Sequence, residues 1–82
     1  MCLTYILYSE TRDRYYIGHT CDDIHERLRK HNTSHGGFTG IENDWKVVFT
    51  QQFDSKTLSY ARERQIKGWK SRKLIQALIE GS

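Results

Sequence analysis

The chain contains no proline, only two cysteines and one methionine, and no long apolar run in its 82 residues. Each shortage narrows the field. With no proline, no internal repeat and no low-complexity tract, nothing marks a linker, and residues 1–82 read as one small domain. Cys2 and Cys21 are too few for a disulfide framework, so reduced thiols and a cytoplasmic location are expected. No apolar stretch approaches the roughly 18 residues of a membrane span, so no membrane partner is expected. The N-terminus lacks a basic stretch followed by a long apolar one, so no signal peptide is expected either.

What the chain does have is aromatic volume and segregated charge. Five Tyr, three Phe and two Trp supply a core to a chain short enough to bury only about 60–65% of its unfolded surface. The formal net charge is only +3, but its distribution is uneven. Between Arg62 and Lys73 six basic residues face a single acid, Glu63, giving that window +5 and the other 70 residues −2. A basic stretch beside Tyr60 and Trp69 suits a polyanion such as nucleic acid. A solvated helix face would have the same composition.

The hydrophobic pattern predicts an α+β domain of order β-β-α-β-α-α, a three-stranded antiparallel sheet flanked by helices. Residues 3–9 are rich in β-branched and aromatic types and read as a strand; 10–13 form a polar turn, and 14–19 a second strand. Thr20 or Asp22 caps a helix to about Asn32, with Ile24 and Leu28 as its apolar stripe. Residues 32–43, with three Gly, read as a loop, and 45–53 as the third strand. Ser55 or Thr57 caps a second helix whose inner side is assigned to Leu58, Ala61, Gln65, Ile66 and Trp69, with Gly68 expected to weaken or end it. Ser71 starts a third, with Leu74, Ile75, Leu78 and Ile79 inward.

Several side chains could carry chemistry. Tyr5 and Tyr16 lie in neighbouring strands of one hairpin, as a shared site or as packing residues with hydrogen-bonded tips. Arg27 and His31 are one helical turn apart, and His31 falls inside the apolar stripe; the pair lines an anion site or forms a cationic helix end. Cys21, His25, His31 and His35 resemble a zinc string, but His25 and His31 are about 120° apart around a helix and match no ligand spacing. Glu63 is an ion-pair partner for its basic neighbours or a ligand for a divalent metal. Mg²⁺ needs only one or two protein carboxylates.

Together these residues resemble the GIY-YIG nucleases, in particular the short stand-alone bacterial members. Leu3-Thr4-Tyr5 stands where the first family motif ends in Tyr, and Tyr16-Ile17-Gly18 matches the second literally. The helix bearing Arg27 and His31 resembles the family's Arg-bearing helix, and Glu63 its metal-binding Glu. Three positions depart: Leu-Thr replaces Gly-Ile, His19 stands where several members carry Lys, and no Asn beyond Glu63 is identifiable.

The resemblance implies a metal-dependent endonuclease, most simply for DNA and with DNA repair as its setting. Tyr5, Tyr16, Arg27, His31 and Glu63 would be catalytic, with Glu63 holding Mg²⁺ or Mn²⁺. Tyr5 is the preferred base, aided by His31. His19, Arg29, Lys30, Lys67, Lys70, Arg72 and Lys73 would contact nucleic acid, and a homodimer or accessory protein could complete a double-strand cut. The alternative is a non-catalytic nucleic-acid-binding module that keeps the fold. A protein-interaction adaptor ranks last, because no exposed apolar patch is legible.

Overall fold

Two runs rich in β-branched and aromatic residues, separated by a polar turn, make the N-terminal third a hairpin. In the computed structural model, which describes residues 1–32 and 44–81, β1 (Cys2–Ser9) pairs antiparallel with β2 (Arg14–Thr20), from Leu3↔Thr20 to Ser9↔Arg14. Asp13 closes the turn with φ 54°, a left-handed conformation that Asp tolerates. The expected loop between helix and third strand lies largely outside the described residues.

β3 (Trp45–Phe53) pairs with the other edge of β1, so the sheet order is β2-β1-β3 and β2 is an edge strand. The β1–β3 register slips between Ile6↔Phe49 and Leu7↔Val47. This bulge leaves Val48 without a partner and turns both Val48 and Phe49 toward one face. Asp44 clasps the hairpin turn to the start of β3: it accepts from Ser9 Oγ (2.6 Å), Thr11 N (2.8 Å) and Thr11 Oγ1 (2.8 Å). The Ser9 hydrogen bond, then those from Thr11, hold its carboxyl down to about 2.

Strand pleating sends alternate residues to opposite faces, and each face meets different helices. Helix α1 (Ile24–Asn32) lays Ile24 and Leu28 on Tyr5, Leu7 and Trp45. Its cap is Asp23, which accepts from His25 N at 2.8 Å, and not Thr20 or Asp22. Thr20 instead accepts from Asp22 N, shaping the turn before the helix. Asn32 ends α1 by exchanging two hydrogen bonds with the Trp45 backbone (3.0 and 2.8 Å).

The other face carries α2 (Lys56–Trp69) and α3 (Arg72–Glu80), which bury Ile66 and Ile75 against Ile6, Ile17 and Phe49. Ser55 caps α2 and Ser71 caps α3, each accepting from the backbone three residues on. The inner side of α2 differs from the expected one: Ser59, Glu63 and Ile66 are buried, while Leu58, Ala61 and Gln65 are exposed. A small residue at 59 lets the helix come close enough for Thr4 Oγ1 to donate to Ser59 O at 2.7 Å, and that contact fixes the rotation. Gly68 does not end the helix; Lys70 does, in a left-handed cap at φ 48°. Leu74 is likewise exposed, while Ile75, Leu78 and Ile79 pack inward.

The expectation of free thiols is corrected: Cys2 and Cys21 are joined in a disulfide. The hairpin register sets Cys2 and Cys21 just beyond the Leu3↔Thr20 pair, so the ladder itself brings the two sulfurs together. Closing 19 residues constrains the unfolded chain by up to about 3 kcal/mol in the chain-entropy model. Reduction should therefore lower stability by about 2 kcal/mol, or roughly 8–16 °C in Tm for a domain this size. Thermal unfolding followed by circular dichroism with and without a thiol reductant measures it. An unchanged Tm would mean that the crosslink constrains nothing the ladder does not already hold.

Candidate active site

Tyr5 projects from the central strand toward α1, and Gly18 stands opposite it on β2. The absence of a side chain at 18 makes room for the phenol: a Cβ there would lie 2.6 Å from Tyr5 Oη. Tyr5 is 2% exposed, and its hydroxyl lies 3.2 Å from His31 Nε2. Tyr16 joins the same face, its ring 4.7 Å from His31 and 6.4 Å from Tyr5 between centroids. His31, on the same side of α1 as the apolar stripe, thus meets two tyrosines.

The electrostatics of this cluster have clear causes. Burial, and then Tyr16, push the Tyr5 phenol well above its ordinary value, with Arg27 opposing and Glu63 adding. Burial, and then Arg27, pull His31 below the ordinary histidine value near 6.5, so the imidazole is neutral at pH 7.

Glu63 comes from the opposite side of the sheet, on the buried face of α2. Its Oε1 lies 2.6 Å from His19 Nδ1 and its Oε2 accepts from Lys67 Nζ at 2.9 Å. Burial pushes this carboxyl up, but the bonds from His19 and Lys67 outweigh that and hold it below the usual carboxylate value. Because β2 is an edge strand, the two faces communicate around it: Lys67 Nζ lies 5.9 Å from the centroid of the Tyr16 ring.

Two open clefts flank the His19–Glu63 pair. One, about 290 Å³, is lined by Tyr60, Glu63, Arg64 and Lys67. The other, about 440 Å³, is lined by His19, Thr20, Cys21, Asp22, Arg27 and Lys56. Arg27 lies 3.9 Å from Asp22 and keeps about a third of its side chain exposed, open to an anion.

Glu63 fits a hydrated divalent ion. It is an ionised oxygen donor at the wall of an open cleft, and no cluster of three or more His, Cys, Asp or Glu able to hold a metal occurs among the described residues. A single ionised carboxylate suits an ion that keeps most of its water. The zinc string is dispersed: Cys21 is in the disulfide, His31 is on Tyr5, and His35 lies outside the described residues.

The remaining basic residues do not converge on Glu63. Arg29 pairs with Glu26 at 3.0 Å on the exposed side of α1, where Lys30 is also exposed. Arg72 donates to Asp13 O at 2.8 Å and pairs with its carboxylate, tying α3 to the hairpin turn. Lys70 and Arg72 line a third cleft with Arg14 and Tyr15, and Lys73 is exposed nearby on α3. The sequence reading did not connect His19 with Glu63. The available signal was pleating: His19 neighbours Gly18, so it must face the side opposite Tyr5.

Comparison with known proteins yields two matches. The model of the GIY-YIG catalytic domain matches residues 1–76. The UPF0213 protein SSP2268 of Staphylococcus saprophyticus is 33% identical over 67 residues, covering 80% of each chain. No solved structure matches.

Proposed function

This chain belongs to the GIY-YIG family, a nuclease-type family, and we propose that it is a divalent-metal-dependent endonuclease that hydrolyses phosphodiester bonds, most simply in DNA. The observation that carries this reading is the convergence around one edge strand of a Tyr5–His31 hydrogen bond, an Arg27 cleft and the Glu63 carboxylate. Glu63 would hold Mg²⁺ or Mn²⁺. When bound, such an ion supplies Lewis-acid polarisation of the phosphate and neutralises its charge.

The chain's own residues supply the proton path. With its phenol held protonated, Tyr5 does not act as a standing phenolate. It receives the proton of the attacking water at Oη while passing its own to His31 Nε2, which is neutral and 3.2 Å away. Arg27 donates to the phosphate oxygens on which charge develops. Tyr16 packs on the His31 ring and fixes its plane. Lys67, Lys70, Arg72 and Lys73 on the α2–α3 side, and His19, Arg29 and Lys30, are proposed phosphate contacts, so binding should fall steeply with salt. A single site cuts both strands by acting twice, with a second copy, or with an accessory protein. We place the protein in the cytoplasm, with DNA repair as the proposed setting. Among the described residues no helix is long and apolar enough to cross a membrane.

The proton path predicts a pH profile. His31 must be neutral to accept, so the rate should rise with pH through its depressed pKa, with a midpoint below 6.5, and level off by neutrality. Tyr5→Phe should lower the rate by about 10²–10³-fold at every pH, and His31→Gln should flatten the acid limb. A profile unchanged in His31→Gln would remove the relay.

The founding experiment is cleavage of labelled single-stranded, duplex, nicked and flapped DNA and RNA in Mg²⁺, Mn²⁺ or EDTA. Metal-dependent cutting is expected. One observation favours a second reading, the non-catalytic binding module: both Glu63 oxygens are already engaged, by His19 and Lys67. Salt-sensitive binding without cutting in any metal would select it.

A further inference from the structure

The contact between His19 and Glu63 is unusual in its placement. An imidazole nitrogen and a carboxylate oxygen 2.6 Å apart sit at the meeting of two clefts, one holding Arg27 and the other Arg64 and Lys67. The His19 ring is oriented by Tyr60, whose centroid is 5.0 Å away and whose hydroxyl accepts from Arg64 at 3.1 Å. His19 is 22% exposed and Glu63 10%, so both are held by packing while still reaching solvent.

We infer that His19 and Glu63 together chelate the divalent cation through one nitrogen and one oxygen, and that His19 biases the site toward Mn²⁺, Co²⁺ or Ni²⁺ over Mg²⁺. This rests on the reading of Glu63 as the metal carboxylate and adds a second protein ligand to it. Donors about 2.0–2.1 Å from one octahedral ion are about 3 Å apart when adjacent, so the observed separation needs only a few tenths of an ångström of adjustment. Nδ1 becomes a donor to metal when the ring proton sits on Nε2, a tautomer change without change of charge. Lys67 holds Oε2, while Oε1 is bonded to His19 Nδ1 and turns to the ion once that ring proton sits on Nε2. Its ammonium repels every divalent cation alike and so does not discriminate among them. The nitrogen does: imidazole affinity rises from Mn²⁺ through Co²⁺ to Ni²⁺, and even Mn²⁺ accepts a nitrogen more readily than Mg²⁺, which prefers oxygen.

The test reads metal binding directly on the purified, metal-free full chain. Calorimetric titration with Mn²⁺ and Mg²⁺ is paired with electron spin echo measurement of nitrogen coupling to bound Mn²⁺. His19→Gln keeps a hydrogen-bond donor for Glu63 but removes the imidazole, and circular dichroism checks its fold; His19→Ala is the second variant. Wild-type protein should show nitrogen coupling that both variants lose, with Mn²⁺ affinity falling about 10-fold or more and Mg²⁺ affinity changing less than about 3-fold. Coupling that is absent in the wild type, or that persists in the variants, overturns the inference whether or not a variant is destabilised. If Glu63→Gln abolishes binding of both ions while His19→Gln changes neither, the chelate fails and the nuclease reading stands. If neither substitution affects binding, both fail.

Discussion

Replacing Glu63 by Gln is expected to reduce cleavage by about 10³-fold or more while leaving the fold in place. The substitution preserves size but turns one acceptor oxygen into an N–H donor, so Lys67 keeps its acceptor and His19 keeps a partner with its ring proton on Nε2. What disappears is the negative charge that would hold the cation, and the several kcal/mol of transition-state stabilisation that the cation supplies correspond to about three decades of rate. Single-turnover cleavage at saturating metal, beside thermal unfolding of the same samples, separates the chemical effect from a structural one. Wild-type cleavage in this variant would end the proposal of a Glu63 metal site. The stability readout carries its own sign. The ionised form of Glu63 is favoured in the folded state, so its contribution is present above about pH 4.5 and is lost as pH falls through its lowered value. The Gln variant should lose that part of the acid sensitivity.

Gly18→Ala should be the second severe change, and for a steric reason. The added methyl would lie 2.6 Å from Tyr5 Oη, 2.7 Å from Tyr5 Cζ and 3.1 Å from Tyr16 Cε1. A surface tyrosine would swing away, but Tyr5 is enclosed by Leu7, Trp45 and the α1 stripe. Overpacking of this kind costs about 1–3 kcal/mol and must move the phenol away from His31. Cleavage should fall about 10²–10³-fold, close to the loss in Tyr5→Phe, because both break the same proton path. The double variant should then be little worse than either single one, a non-additivity that kinetic measurement on all three would reveal. Full activity in Gly18→Ala would show that the position of the Tyr5 hydroxyl is not used.

The glycine of the Tyr16-Ile17-Gly18 motif thus has a physical meaning that its letters alone do not carry. From the sequence it was one residue of a match; across the ladder it is the space in which the opposite strand's tyrosine stands. His19 shows the same limit. Its place on β2 was legible, and its assignment there was to nucleic acid, yet its partner in the fold is a carboxylate 44 residues away.

Local physics was enough for the element order. β-Branched and aromatic content along 3–9 and 45–53, the polar turn at 10–13, and serines at 55 and 71 each act within a few residues, so they place strands and helix starts without knowledge of the rest. Tyr5, Tyr16, Arg27, His31 and Glu63 stood out as chemical types, and it was the family resemblance that joined them into one candidate site. Tertiary structure decided the rest. The rotation of α2, which buries Ser59 and Glu63 and exposes Leu58, follows from a hydrogen bond to Thr4. The disulfide follows from a register that brings residues 2 and 21 together. The separation of Tyr5, on the central strand, and His19, on the edge strand, onto opposite faces of the sheet follows from pleating combined with the hairpin register. Spacing along a chain determines what a residue can do by itself; pairing across a sheet determines which charges and protons it meets, because those forces act over a few ångströms of space and not over positions in sequence.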